Sequence, residues 1–209
     1  MPDAPHRADV YRTLAGPGRA EIKVRGSRFL AEAMPVETEA DAAEAIDAVR
    51  KREYAATHHC SAYRIGPSGR IFRYHDDGEP AGTAGAPILR QIDGRGLTHV
   101  LVVVTRYYGG TKLGTGGLIR AYGEAAALAL DAAPHAERIL RETVRLRFDY
   151  ADTSPAMHTL GQFDAEIVET HYSEATELVV AVRRSQAGAF VDAFVEALSG
   201  RGRAEVAKK

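Results

Sequence analysis

The run from Thr98 to Thr105 tolerates few structural settings. Its Val100 to Val104 core is uninterrupted and mostly β-branched, which predicts a central strand covered on both faces. Five glycines follow within nine residues (Gly109, Gly110, Gly114, Gly116 and Gly117). A helix is then predicted from near Thr115, because Leu118, Ile119, Tyr122, Ala126 and Leu130 recur at helical spacing before Pro134. The chain must therefore pass from a buried strand to an amphipathic helix through a loop nearly free of side chains.

The flanking segments read as a mixture of strands and helices. Alternation predicts strands at Glu21–Val24, Phe29–Met34, Ser61–Ile65 and Ile71–Tyr74, with residues 65–70 as a hairpin loop between the last two. Thr38 is placed as the N-cap of a helix whose Ala42, Ala45, Ile46 and Val49 share a face. Pro87–Ile92 reads as a short helix. The pattern restarts around Pro134–Glu137, which sets the expected domains at 1–136 and 137–209. In the second, Arg138–Tyr150 is expected as one strand and Thr153–Phe163 as a helix. Strands near Glu166–Tyr172 and Glu177–Arg183 follow, then a helix capped by Ser185 with Phe190, Phe194 and Leu198 on one face. This β-α-β-β-α order is that of a ferredoxin-like unit, and Arg201–Lys209 is left as a last short strand or a frayed end.

Composition narrows the function classes. A formal net charge of −1 over 209 residues argues against coating nucleic acid through overall charge, so any anion or RNA site must be a local patch. The single Cys60 permits neither an internal disulfide nor a thiolate cluster. No apolar run approaches the about 20 residues of a membrane helix, and residues 1–10 lack a signal-peptide core. A reduced, soluble, cytoplasmic protein without a membrane partner is expected.

The local patch is the glycine loop. No Asp or Glu lies between Asp93 and Glu124, whereas Arg95, Arg106, Lys112 and Arg120 do. The loop fails the Walker A pattern, because Thr115 and Gly116 follow Gly114, and fails the dinucleotide pattern at Ile119. The expected anion- or RNA-binding set is therefore a non-standard cradle of Arg106, Tyr107, Gly109, Gly110, Lys112, Gly114, Thr115, Gly116, Gly117 and Arg120. The competing reading has the glycines permit a tight strand-to-helix crossing beside solvated cations. Of Tyr107 and Tyr108, which alternate, only one is available to stack on a base, while Tyr122 belongs to the core.

His59, Asp77, Glu79 and Thr83 are expected to line the cleft. Asp76, Asp77 and Glu79 support three readings: Mg²⁺-binding or acid–base catalysis, ordinary turn chemistry, or pairing with Arg106 or Arg120. His58 and His59 point to opposite faces of a strand and cannot share a metal, so no metal site and no cofactor is expected. Arg145 and Arg147 form a stripe that Glu166 and Glu169 are placed to neutralise.

Three blocks resemble the YigZ/IMPACT family: residues 57–64 (Thr-His-His-Cys-Ser-Ala-Tyr-Arg), residues 76–87 (Asp-Asp-Gly-Glu-Pro-Ala-Gly-Thr-Ala-Gly-Ala-Pro), and the loop from Val103 to Tyr122. Tyr108 stands where the family pattern usually has Phe. The resemblance implies two α+β domains, the first like the second domain of a small-subunit ribosomal protein and the fourth domain of elongation factor G, the second ferredoxin-like. It also implies a translation- or ribosome-linked role. The eukaryotic member's kinase-pathway role relies on a further domain and is not carried over. The leading expectation is a non-catalytic protein that binds RNA or the ribosome. The alternatives are a small enzyme on a nucleotide or phosphorylated metabolite, and a protein-interaction regulator of translation.

Overall fold

The computed structural model describes residues 9–207. It divides into two compact units, Tyr11–Arg138 and the chain from Ile139 onward together with Asp9 and Val10. Helix and sheet are mixed in both.

In the first unit the strands are β1 (Val10–Leu14), β2 (Gly18–Val24), β3 (Ser27–Pro35), β4 (His58–Ile65), β5 (Ile71–His75), β6 (Val100–Tyr107) and β7 (His135–Ile139). The helices are α1 (Glu39–Arg52), α2 (Gly85–Gly94) and α3 (Gly114–Ala132). Five strands form one antiparallel sheet in the order β2-β3-β6-β4-β5, with β6 at its centre. The β6 alternation explains its apolar run. Val100, Val102 and Val104 pack into the cluster that includes Ile88 and Ile92 of α2 and Leu118, Tyr122 and Leu130 of α3. Leu101 and Val103 pack with Ala42 and Val49 of α1 on the other face.

Thr38 caps α1 as expected. Its hydroxyl accepts from the Asp41 N–H at 3.1 Å, and the Asp41 carboxylate accepts from the Thr38 N–H at 2.9 Å.

The second unit holds β8 (Arg141–Phe148), α4 (Thr153–Gln162), β9 (Glu166–Tyr172), β10 (Thr176–Arg183), α5 (Ala187–Ala197) and β11 (Arg203–Val206). Its sheet order is β11-β8-β10-β9, all antiparallel. Val144, Leu146 and Phe148 face Leu160 of α4 and Phe190 and Phe194 of α5, leaving the opposite sheet face open.

Three expectations are corrected. Arg138–Tyr150 is not one strand: β7 ends at Ile139 and β8 begins at Arg141. Leu140 between them donates its N–H to the Asp9 carbonyl and accepts from the Arg184 N–H, leaving β7 to pair with β1. Ser185 does not cap α5: Gln186 is the N-cap, and Ser185 donates both its N–H and its hydroxyl to Asp9. Glu166 and Glu169 do not neutralise the arginine stripe. Arg147 meets Glu177, its cross-strand neighbour, at 3.6 Å, while Glu166 pairs with Arg141 and Glu169 with His171. Among the described residues no helix is long and apolar enough to cross a membrane.

Replacing Thr38 with Ala removes one half of the reciprocal cap and is expected to lower stability by about 1 kcal/mol, read as a shift in the urea unfolding midpoint at unchanged slope.

Candidate functional site

The last residues of β6 and the start of α3 line a cleft of about 580 Å³. Its walls are Thr57 and His58 from the start of β4, Glu79 and Pro80, Arg106 and Tyr108, and Lys112 to Thr115 with Leu118. A volume of this size lies within the usual range of small-ligand pockets, about 300–1,000 Å³.

At the floor is a buried ion pair. The Arg106 and Glu79 side chains are only 5% and 4% exposed, and Arg106 Nη1 donates to Glu79 Oε1 at 2.6 Å. The Tyr122 hydroxyl donates to the same Oε1 at 2.8 Å, and Arg106 Nη2 donates to Ser27 Oγ at 3.2 Å. Arg106 was expected as a free cation of the cradle, but its charge is compensated inside the protein. β6 alternation aims it at the α3 face of the sheet, where desolvation demands a counter-ion. Of the three readings of the acidic cluster, pairing with Arg106 is the one Glu79 adopts.

The other two acids serve the backbone. Asp76 Oδ1 accepts from the Ala84 and Gly85 N–H groups at 3.0 and 2.8 Å, and Oδ2 accepts from Gly82 at 2.8 Å. It thereby caps α2, whose own N-cap Ala84 has no side-chain bond to offer. Burial alone would raise the Asp76 pKa, but these N–H donors outweigh it and hold the carboxyl below the usual range. Asp77, in the left-handed region at φ +45°, accepts from the His59 N–H at 2.6 Å and from Arg50 at 2.7 Å. The three carboxylates point to three different partners. Among the described residues no three His, Cys, Asp or Glu side chains gather in a metal-holding arrangement.

Strand alternation also sorts the histidines. His58 is opposite Arg106 in register and lines the cleft, whereas His59 is opposite Thr105 and sends Nε2 to the Glu53 carbonyl at 3.1 Å. His59, Asp77 and Thr83 thus lie outside the cleft walls that the sequence assigned them to, and His58, read from the sequence as packed or at the surface, lies within them. The Thr83 hydroxyl donates to the Pro80 carbonyl at 2.6 Å. Cys60 is buried, which drives its thiol pKa up and leaves it inert.

The glycine loop divides into two kinds of position. Gly109 is structural: a Cβ there would lie 1.9 Å from the Gly26 carbonyl carbon, so the loop crosses the β2–β3 turn in backbone contact. Gly110 and Gly114, at φ +82° and +70°, face open space, as a ligand-receiving backbone would. α3 begins with no side-chain cap and no acidic residue in its first turn, so the N–H groups of Leu113, Gly114, Thr115 and Gly116 have no intrahelical partner. Lys112 and Thr115 line the same cleft. Arg120 does not: its Nη1 folds back over Gly116, 3.6 Å from where a Cβ would stand. Tyr107 turns to the α1 face, where its hydroxyl donates to Glu53 at 2.8 Å. Tyr108 is the available platform, 46% exposed, with the Arg106 guanidinium 5.3 Å from its ring centre.

Comparison with known proteins bears on this site. Residues 25–130 match the model of the Impact N-terminal domain, and residues 146–201 match a domain of unknown function, DUF1949. The IMPACT family member YvyE of Bacillus subtilis is 39% identical over 191 residues, covering 91% of this chain and 88% of that protein. The IMPACT family member YigZ of Escherichia coli is 33% identical over 84% of this chain and 87% of its own length. Protein IMPACT homolog of Saccharomyces cerevisiae is 37% identical over 98 residues, 44% of this chain and 37% of that protein. A crystal structure of a hypothetical protein, 30% identical, superposes with a TM-score of 0.70 over 96% of this chain and 98% of that one.

Two outcomes follow from the floor of the cleft. Glu79→Gln leaves the buried Arg106 charge uncompensated and is expected to remove about 3–5 kcal/mol of unfolding free energy by chemical denaturation. Asp76→Asn is expected to destabilise at neutral pH. Because the folded Asp76 pKa is depressed, its contribution is present above the unfolded carboxyl pKa and is lost as pH falls through the folded value. The gap between Asp76→Asn and the parent should therefore narrow on acidification below about pH 4, as read by thermal melts across pH.

Proposed function

The chain belongs to the IMPACT family, and from that premise we propose that it is a non-catalytic, translation- or ribosome-associated cytoplasmic protein that binds RNA through the cleft at the start of α3. One observation carries the reading. An uncapped helix N-terminus, bare glycine backbone and the Lys112 side chain open onto one cleft that also exposes the Tyr108 ring. Backbone N–H groups and an ammonium receive phosphate oxygens, and an exposed aromatic ring receives a base. The cradle is narrower than the sequence suggested: Lys112, Thr115 and the N–H groups of residues 114–116 constitute it, with Arg106 underneath as support.

The fold names implied by the resemblance support the same direction. The second unit has its strands in the spatial order fourth-first-third-second with both helices on one face, as in ferredoxin-like domains. We read the first unit as akin to the ribosomal-protein and elongation-factor domains, and the domain boundary as lying near Ile139. Binding is favoured over catalysis because Asp76, Asp77 and Glu79 are each engaged by N–H groups or arginines.

The test is fluorescence anisotropy with a labelled single-stranded RNA at several salt concentrations, alongside sedimentation of lysate through sucrose. Affinity should fall with salt, and Lys112→Glu should weaken binding and reduce the log–log salt slope by about 0.7, the loss of one phosphate contact. RNA affinity without salt dependence, or a Lys112→Glu protein that binds unchanged, overturns the proposal. A thermal-shift screen in which a nucleotide with Mg²⁺ stabilises the protein while RNA does not would favour the enzyme reading instead.

A further inference from the structure

Opposite the α3 end of the cleft stand two side chains that offer acceptors, His58 and Glu79, above the Arg106 guanidinium. His58 Nδ1 lies 2.8 Å from the Asp77 carbonyl oxygen. A carbonyl can only accept, so Nδ1 carries a proton, and in the Nδ1–H tautomer Nε2 presents a lone pair. Nε2 is 3.8 Å from Glu79 Oε1, beyond hydrogen-bond reach. Glu79 itself is 4% exposed, and both of its hydrogen bonds fall on Oε1. Oε2 therefore has no donor among the described residues, although Glu79 lines the cleft. Oε2 is not one of the fully buried atoms left without a partner, so it is open to the cleft and free to accept from a ligand.

Phosphate alone does not complement such a site. It would satisfy Lys112 and the α3 N–H groups, yet bring a further set of acceptors to His58 and Glu79. The complementary ligand carries an anionic phosphate and, close to it, a hydrogen-bond donor. In RNA the 2′-hydroxyl sits on the carbon adjacent to the one bearing the 3′-phosphate and is such a donor; DNA has none there.

We infer that the His58–Glu79 corner receives a ribose 2′-hydroxyl, so that the cleft selects single-stranded RNA over DNA of the same sequence. The inference rests on the RNA-binding reading above and adds to it the group that is read. Phosphate contacts give affinity without distinguishing the two polymers, and discrimination comes from the acceptor pair. His58 is the residue that sets specificity, with the Asp77 carbonyl orienting its ring.

The experiment compares matched single strands of RNA, 2′-fluoro RNA and DNA by anisotropy on the full chain at one salt concentration. Fluorine keeps the ribose-like pucker and removes the donor, so the comparison isolates the hydroxyl. RNA is expected to bind about ten-fold more tightly than either analogue, as for a hydrogen bond to a charged or buried acceptor. In His58→Phe, checked for an unchanged thermal midpoint, the ratio of RNA to DNA affinity should fall from about ten to about one. Equal affinity for all three strands with Lys112 still required overturns this inference and leaves the RNA-binding reading standing. Failure of all three to bind overturns both. A preference for RNA that survives in folded His58→Phe overturns the role given to that residue. The ligand series needs no variant, so it decides the matter even where His58→Phe does not fold.

Discussion

The buried pair of Arg106 and Glu79 is what the rest of the first unit is arranged around. A guanidinium at the end of a central strand, 5% exposed, is tolerable only with a carboxylate against it. That carboxylate comes from the loop between β5 and α2, and Tyr122 of α3 donates to the same oxygen. Arg106 also reaches Ser27 at the β2–β3 turn, whose hydroxyl receives the Gly109 N–H at 3.2 Å. One charge pair thus ties together the strand, the acidic loop, the helix and the turn against which the glycine loop crosses. The cleft's shape depends on it, and its net charge hardly does.

The acidic loop shows how turn chemistry and electrostatics divide one short segment. Asp77 and Gly78 occupy the left-handed region at φ +45° and +85°, so successive carboxylates leave the backbone in different directions. Asp76 goes to the N–H groups that open α2, Asp77 to the β4 backbone and Arg50, and Glu79 into the core. A catalytic carboxylate pair needs two groups converging on one reacting atom. This loop does the reverse, holding three structural elements at fixed angles so that α3 can begin at the mouth of the cleft.

Opposed polarity makes the cleft more than a basic patch. Its donors come from a helix end and a lysine, its acceptors from a tautomer-fixed histidine and a half-used carboxylate. The two kinds of group arise on different elements, α3 on one side and β4 with the acidic loop on the other. Sequence proximity therefore revealed the donors, which are consecutive, and concealed the acceptors, which lie 21 residues apart at positions 58 and 79. His58 was detectable in principle: period-2 alternation separates it from His59, but only the register against β6 says which of the two shares a face with Arg106.

Local pattern alone determined the central strand, the α1 cap, the glycine-loop crossing, the β-α-β-β-α order of the second unit and the family. The structural elements among these depend on neighbours within a few residues, through side-chain period, capping or backbone freedom, and the family on three blocks between residues 57 and 122. The break at Leu140 and the engagement of Ser185 escaped that logic because both are decided by Asp9, more than a hundred residues away. The fate of Arg106 escaped it for the same reason. An acid-free stretch of chain is acid-free only along the backbone, and folding brought Glu79 to within 2.6 Å of its one buried cation. Charge in a folded protein is compensated through space, which a linear sequence does not display.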